Sequence, residues 1–569
     1  MPKRKLPPDK RQSVVKCCLK KHLALSAIEP GIVDLVDNVS RRVHRGALLL
    51  NHFLLWRLRD SGIADGVLSD QMLYYTALCV EGRGKKYPEV RAFFRDHSDK
   101  YEAVDALGGS SPCVNAAART LKTNAVNMLF MLFDSRVRML WKQRPKREQR
   151  AVLQRVRNFP SLVPMVLSRE QWEFIDESRA ALGVGDGTTV SDGWIKQHTG
   201  RVVTFMHSLL RRCEASGLPG FSLLPLSKHK RHFITLDAAT LRNLMVRAGA
   251  LRSDVDAKTF AALQADHFRS VFCYRRSWIV GTEVKTDGVA LCLNVWRDDR
   301  ATQRPESGVP RVARGEEYLA VDPGRANICS VVRVRDGEVL EKLRFTRKQY
   351  YTEGNVDRNR AKRARLDYSI RATLDDLSEH NKRTSCHIAF GEYLAAKRPH
   401  DPDLWRVGLD RRCAAWRMDT YIHCRSAVDR FWRRAVGKLT RPVIAYGDAA
   451  FSASGRGERA VPTRGMAIAA SRHGRLAMVD EYNTTKCCCE CGSVTRKVLS
   501  RVDGESREVR GLRRCESNAC RTVPLKSRDY NAACNIACCV PTEGRPLRLQ
   551  RSGDIVHSWR PDGLQCPYG

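Results

Sequence analysis

Nine cysteines fall between Cys487 and Cys539 of a 569-residue chain that carries 21 in all, and no other feature restricts its folding as tightly. The total is odd, the cluster is local, and the basic start MPKRKLPPDKR has no apolar core behind it of the kind a secretory signal needs. That combination points to reduced thiols and a bound metal instead of a disulfide framework. The stretch VDEYNTTKCCCECGS (479–493) holds one pair, Cys488-x2-Cys491 followed by Gly492, and RRCESNACRT holds a second, Cys515-x4-Cys520. Four thiolates in two such pairs suit one tetrahedral structural Zn2+, which predicts a zinc ribbon over 486–524. Cys487 and Cys489 stand as alternatives to Cys488, which is preferred because it leaves the Cys-x2-Cys-Gly turn. Cys534, Cys538 and Cys539 read as core residues of a last apolar helix. An acidic residue, Glu481, lies just ahead of the first pair and asks for a reason.

The rest of the chain is organised in blocks. A basic tail covers 1–12, and its PKRK cluster suits either a nuclear-import tag or a frayed terminus. VVKCCLKKHLAL (14–25) reads as a strand. Ser40 is the expected N-cap of a helix whose Val43, Ala47, Leu50 and Leu54 share a face. AAARTLKTNAVNMLFMLFDSRVRMLWKQ (116–143) and SREQWEFIDESRAAL (168–182) continue the helical pattern, giving a helical module over 40–220. GVGDGTTVSDG (183–193) lacks a following Gly-Lys-Ser/Thr and is a loop, not a phosphate cradle. RHFITLD and VFCYRRSWIVGTEVKTDGVALCLNVWR return to strand patterning over 221–312, with TDG (286–288) as a hairpin turn. With the early strand in 13–39, these residues suit one barrel into which the helical module is inserted. The apolar run ALLLNHFLLW (47–56) is too short for a membrane span and is broken by Asn51 and His52.

Beyond residue 313 the informative residues are acidic. YLAV ends on Asp322, Pro323-Gly324 turns the chain, and ICSVVRV and VLEKLRF follow as second and third strands, which is how an RNase H-like sheet opens. VIAYG and RLAMV are further apolar strands, the latter ending on Asp480-Glu481, and Asp529 starts an apolar helix with Ala532, Ala533 and Ile536 on its buried side. Carboxylates at three such ends can converge on one sheet edge and hold a pair of Mg2+ ions about 4 Å apart for phosphodiester hydrolysis. Composition agrees with a polyanionic partner. Lys and Arg exceed Asp and Glu by 99 − 62 = +37, spread over the whole chain, while 43% hydrophobic residues exclude a disordered protein.

In that order, DPG (322–324), DEYNTTKCCCECG and RDYNAACNI resemble the RuvC-like nucleases of the transposon-encoded TnpB group, and more closely Fanzor, its eukaryotic branch. The resemblance covers about residues 220 to 540 and implies an RNA-guided, Mg2+-dependent DNA endonuclease similar to type V CRISPR effectors. It implies a multidomain α/β protein: a helical recognition lobe inserted in a β-barrel wedge domain, then a RuvC domain over 313–569 with its zinc ribbon. A guide RNA, one protein per RNA, a target DNA with a short flanking motif, and a nuclear location go with it. The bacterial relatives carry their middle catalytic Glu on the strand that here reads VIAYGDAAF, where Gly447 stands; in Fanzor that Glu sits on the next strand, which Glu481 fits. Asp322, Glu481 and Asp529 are the implied Mg2+ ligands, with Asp448, Glu458 and Asp480 as competitors for the middle place. An RNA-guided regulator that no longer cuts, or a transposase of the same chemistry, are the alternative functions. Metal-dependent cleavage separates the first from a nuclease, and RNA-independent strand transfer the second.

Overall fold

A computed structural model describes the chain except for residues 1–9, 83–85, 106–110, 159–165, 276–277, 299–311, 449–458, 503–504, 519, 521–523, 541–543 and 551–569. The PKRK cluster and Glu458 therefore lie outside the described residues. The rest falls into two compact units, one within 12–297 and 363–416, the other within 1–11, 298–362 and 417–569. Residues 363–416, which the sequence pattern places in the nuclease region, thus belong with the helical unit.

The helical unit is built on the helix Glu29–Asp60. It starts eleven residues before the expected cap at Ser40. Pro30 opens its first turn, where a missing N–H costs nothing, and Ile32, Leu35, Val36 and Val39 extend the apolar face backwards. Ser40 sits in mid-helix and caps nothing. Its hydroxyl donates to the Val36 carbonyl (2.6 Å) and accepts from the His232 amide (2.9 Å). Asn51, the break in the apolar run, donates to Ala47 O and accepts from Leu224 N, which ties an incoming loop to a buried helix. No helix among the described residues is long and apolar enough to cross a membrane.

Around this helix pack Ser111–Leu140, Arg169–Leu182 and Thr199–Ala215. Ser168 and Gln171 close a capping box on the second of these. That helix ends on Gly183 at φ 65°, and the next helix starts after Ser191 as N-cap, so the Gly-rich stretch is a helix stop and restart. The strands read as parts of a barrel are β1 (Lys10–Cys18), β2 (Ile234–Leu236), β3 (Ile279–Thr286) and β4 (Ala290–Asp298). Among the described residues they form a four-stranded sheet in the order β1-β4-β3-β2. The early strand stops at Cys18 because Leu19–His22 coils into a helical turn. Gly288 turns the β3–β4 hairpin at φ 81°, and the Asp287 carboxylate accepts from the Val289 and Ala290 amides to lock it.

The second unit is a five-stranded sheet of β5 (Tyr318–Pro323), β6 (Asn327–Arg335), β7 (Glu338–Thr346), β8 (Val443–Gly447) and β9 (Arg475–Val479), in the order β7-β6-β5-β8-β9. The first three strands are antiparallel, whereas β8 and β9 run parallel to β5. Side chains alternate between faces. Leu319, Val321, Val331, Phe345, Ile444 and Tyr446 bury one face against Phe431, Trp432, Met466 and Ala470. On the other, Tyr318, Ala320, Val332, Val443, Ala445, Ala477 and Val479 pack with Ala533 and Ile536 of the helix Arg528–Ala537. Cutting Ile536 to Ala in that packing costs about 2–5 kcal/mol. A small antiparallel sheet, β10 (Arg496–Val502), β11 (Glu505–Arg514) and β12 (Leu525–Ser527), leads from the first cysteines back to this helix.

Candidate functional site

Strand register determines which carboxylates meet. Asp322 pairs with Ser330 across β5 and β6, on the face that the helix Arg528–Ala537 covers. Two residues before it, Ala320 pairs with Ala445 of β8, so Gly447 continues the same row, and Gly447 pairs with Val479 of β9. Glu481 follows Val479 by two residues and keeps that parity, although β9 itself ends at Val479. Its side chain lies over Gly447: a Cβ built there would sit 2.7 Å from Glu481 Cδ and 2.9 Å from Cγ, and would collide with Oε1. The glycine is thus a requirement of the site, because the carboxylate fills the space a side chain on β8 would take.

Asp322 is buried, 6% exposed. Its pKa is pushed well above the usual carboxylate range by burial first, then by the charges of Glu481 and Asp529, with Arg528 opposing. Glu481 and Asp529 both act on the buried Asp322, and oxygen donors of this kind could hold Mg2+, although among the described residues these three are not gathered within 4.8 Å of one another as the four cysteines are. Ser330 Oγ, in register with Asp322, is buried with no hydrogen-bond partner among the described residues. Asp529 is held by Asn327, whose amide donates to Oδ2 at 2.7 Å, and by Arg528 Nε, 3.1 Å from Oδ1.

The competitors are placed differently. Asp448 is exposed, and its backbone N–H donates to Val479 O (2.9 Å). Asp480 turns its carboxylate onto the Tyr482 amide (3.0 Å), and its carbonyl accepts from Arg545. Neither is among the charges acting on Asp322, whereas Glu481 is.

Two asparagines that sequence reasoning passed over join the acidic and cysteine sites. Asn531 and Asn535 both donate to the carbonyls of Thr484 and Cys487, at 2.7–3.2 Å, and Asn531 Oδ1 accepts from the Cys489 amide. They are one helical turn apart and share a face, on the helix whose first turn carries Asp529. The i, i+4 spacing of Asn in DYNAACN was the available signal.

The structure brings Cys488, Cys491, Cys515 and Cys520 together, with all four sulfurs within 4.8 Å of one another. Cys488 and Cys520 are 3.7 Å apart, and Cys491 and Cys515 are 3.4 Å apart. A tetrahedral zinc with bonds of about 2.3 Å sets its sulfurs about 3.8 Å apart, so the set could hold that ion. Gly492 at φ 76° turns the knuckle, with its amide donating to Cys488 O. Cys487 points elsewhere, donating to Arg548 O within the sheet core, and Cys489 packs against that core. Beside the four, the buried pair Glu490–Lys526 lies against Cys520.

No protein-family model matches the sequence, and none of the curated proteins does. Among solved structures the chain is similar to the "Structure of the mini-RNA-guided endonuclease CRISPR-Cas_phi3", with 11% identity and a TM-score of 0.28, over 93% of this chain and 92% of that one. A likeness at that TM-score carries no argument about activity, so function rests on the residues.

Proposed function

We propose that this chain is an RNA-guided DNA endonuclease of the Fanzor kind, cutting through an RNase H-like (RuvC) site whose middle carboxylate has moved to Glu481. One observation carries the reading: the Glu481 carboxylate occupies the space over Gly447, in the same side-chain row as Asp322. The strand order, with three antiparallel strands followed by two parallel ones, supports the fold assignment.

Asp322, Glu481 and Asp529 would hold two Mg2+ ions. When bound, such ions activate the attacking water and stabilise the leaving oxygen of the phosphodiester. The chain's own part is placement. Asn327 fixes the rotamer of Asp529. Asn531 and Asn535 fasten the loop after Glu481 to the helix of Asp529, so that both acids keep one spacing. The zinc ribbon closes the chain between them. The net charge of +37 supports guide RNA and target DNA as partners, bound largely through phosphates, with sequence read by base pairing. A nuclear location and one protein per RNA complete the proposal.

The test is to co-express the chain with RNA from its flanking DNA and assay a matched DNA library with Mg2+. RNA-dependent cutting that Asp322→Ala and Glu481→Ala each abolish supports the proposal. Cutting that survives Glu481→Ala moves the middle ligand elsewhere. Tight RNA binding without cutting favours a regulator, and RNA-independent strand transfer a transposase.

A further inference from the structure

Far from the acidic site in sequence, the helical unit holds a second set of metal-competent donors. His44 lies inside the helix Glu29–Asp60 and is 4% exposed. Its Nδ1 is 3.0 Å from the Ser227 carbonyl, which accepts from it and so leaves Nε2 as a bare lone pair. Nε2 is buried and has no hydrogen-bond partner among the described residues. A histidine whose far nitrogen is fixed by a carbonyl while the near one is left open is the arrangement of a metal ligand.

The groups beside the His44 ring have the right chemistry. The His229 ring centroid is 3.9 Å from that of His44, and His229 Nε2 is 3.2 Å from Asp401 Oδ1. One donor atom from each of His44, His229 and Asp401 falls within a common 4.8 Å. Trp405 walls the site, its ring 5.4 Å and 4.7 Å from the two imidazoles. Gly408 makes room for it, since a Cβ there would lie 2.8 Å from the His229 carbonyl group. A cation already occupies the carboxylate: the buried Lys397 ammonium pairs with Asp401 one helical turn away.

We propose that His44 Nε2, His229 and Asp401 form a binding site for a divalent first-row transition metal, with Lys397 standing in for the cation when none is bound. Two imidazoles and a carboxylate suit Zn2+. Ligand atoms around such an ion are about 3.4 Å apart, close to the 3.2 Å already between His229 Nε2 and Asp401 Oδ1, and binding releases Lys397 from Asp401. The metal would cross-brace the long helix, the segment around Ser227 and the helix Asp401–Gly408, three pieces far apart in sequence.

The full chain tests this with zinc as the probe, counted by inductively coupled plasma mass spectrometry after equilibration in a weakly chelating buffer. His229→Gln, checked as folded by circular dichroism, should hold one zinc fewer than the unaltered chain, whether or not the cysteine set is loaded. Cys515→Ser should lose a different zinc, and the double variant should lose both. Lys397→Met removes the competing charge. It should bind zinc at the histidines at least tenfold more tightly, and added zinc should raise its melting temperature unless His229→Gln is also present. Equal zinc content in His229→Gln and the unaltered chain overturns the assignment. So does a Lys397→Met protein whose melting temperature zinc does not raise beyond that of Lys397→Met/His229→Gln, since the cluster is then only an ion pair.

Discussion

A single methyl group on Gly447 should separate stability from cutting. The added Cβ would stand 2.7 Å from Glu481 Cδ and 2.9 Å from Cγ. Carbon atoms rest at about 3.5–4.0 Å, so the carboxylate must withdraw by about 1 Å. Gly447 is not among the glycines with positive φ, so alanine adds no backbone strain. Its smaller unfolded-state entropy gains about 0.4–1 kcal/mol, against about 1–3 kcal/mol for overpacking. The net change in stability is therefore a loss of about 0–2.5 kcal/mol. Catalysis has no such offset. A ligand displaced by about 1 Å costs about 100-fold in rate, which is about 2.7 kcal/mol of barrier. Single-turnover cleavage by the RNA complex with Mg2+, beside thermal melts, reads both quantities. Asp448→Ala serves as control, because the exposed Asp448 holds β9 through its backbone alone and should cut normally. If Gly447→Ala cuts at the unaltered rate, Glu481 does not do its work from the space over Gly447, and the relocated site is refuted.

Asp322→Asn should abolish cutting yet raise the melting temperature in Mg2+-free buffer, because burial and the charges of Glu481 and Asp529 make the ionised form costly; a lower melting temperature would argue against that repulsion. Cys491→Ser should remove one zinc, whereas Cys489→Ser should keep it, as atomic absorption would report, since only the former lies among the four gathered sulfurs. His52 is buried, accepts from Tyr101 OH and donates to the His387 carbonyl, and burial lowers its pKa to about 3. The unfolded chain, with histidine near 6.5, then binds the extra proton, so this contribution is full above about pH 6.5 and falls by about 1.4 kcal/mol per unit as pH drops toward 3. Urea titrations at pH 7 and pH 4.5 should show a smaller difference in His52→Gln than in the unaltered chain; an equal difference removes His52 as the cause.

Much of the second unit was legible because its signals are local. YLAV, VIAYG and RLAMV are apolar runs too short for helices, and each becomes a strand of the sheet. Two cysteine pairs announce their own partner. The start of the long helix was misread at Ser40 because Ser favours caps on average, while here its hydroxyl is used by Val36 and His232. A partner 192 residues away leaves no mark on the local pattern. The grouping of 363–416 with the helical unit was hidden for the same reason.

From sequence alone came the element types, a cysteine set that could hold zinc, with one open choice, and the acidic residues worth watching, since periodicity, turn chemistry and donor spacing all act over a few residues. Tertiary structure decided the rest. Register put Glu481 over Gly447 and turned Asp480 onto the Tyr482 amide. Helix packing made Asn531 and Asn535 the fastening between the two sites. Burial left His44 Nε2 without a partner beside His229 and Asp401. Each of these depends on which side chains share a space, and segments tens to hundreds of residues apart come to share one only when the chain packs.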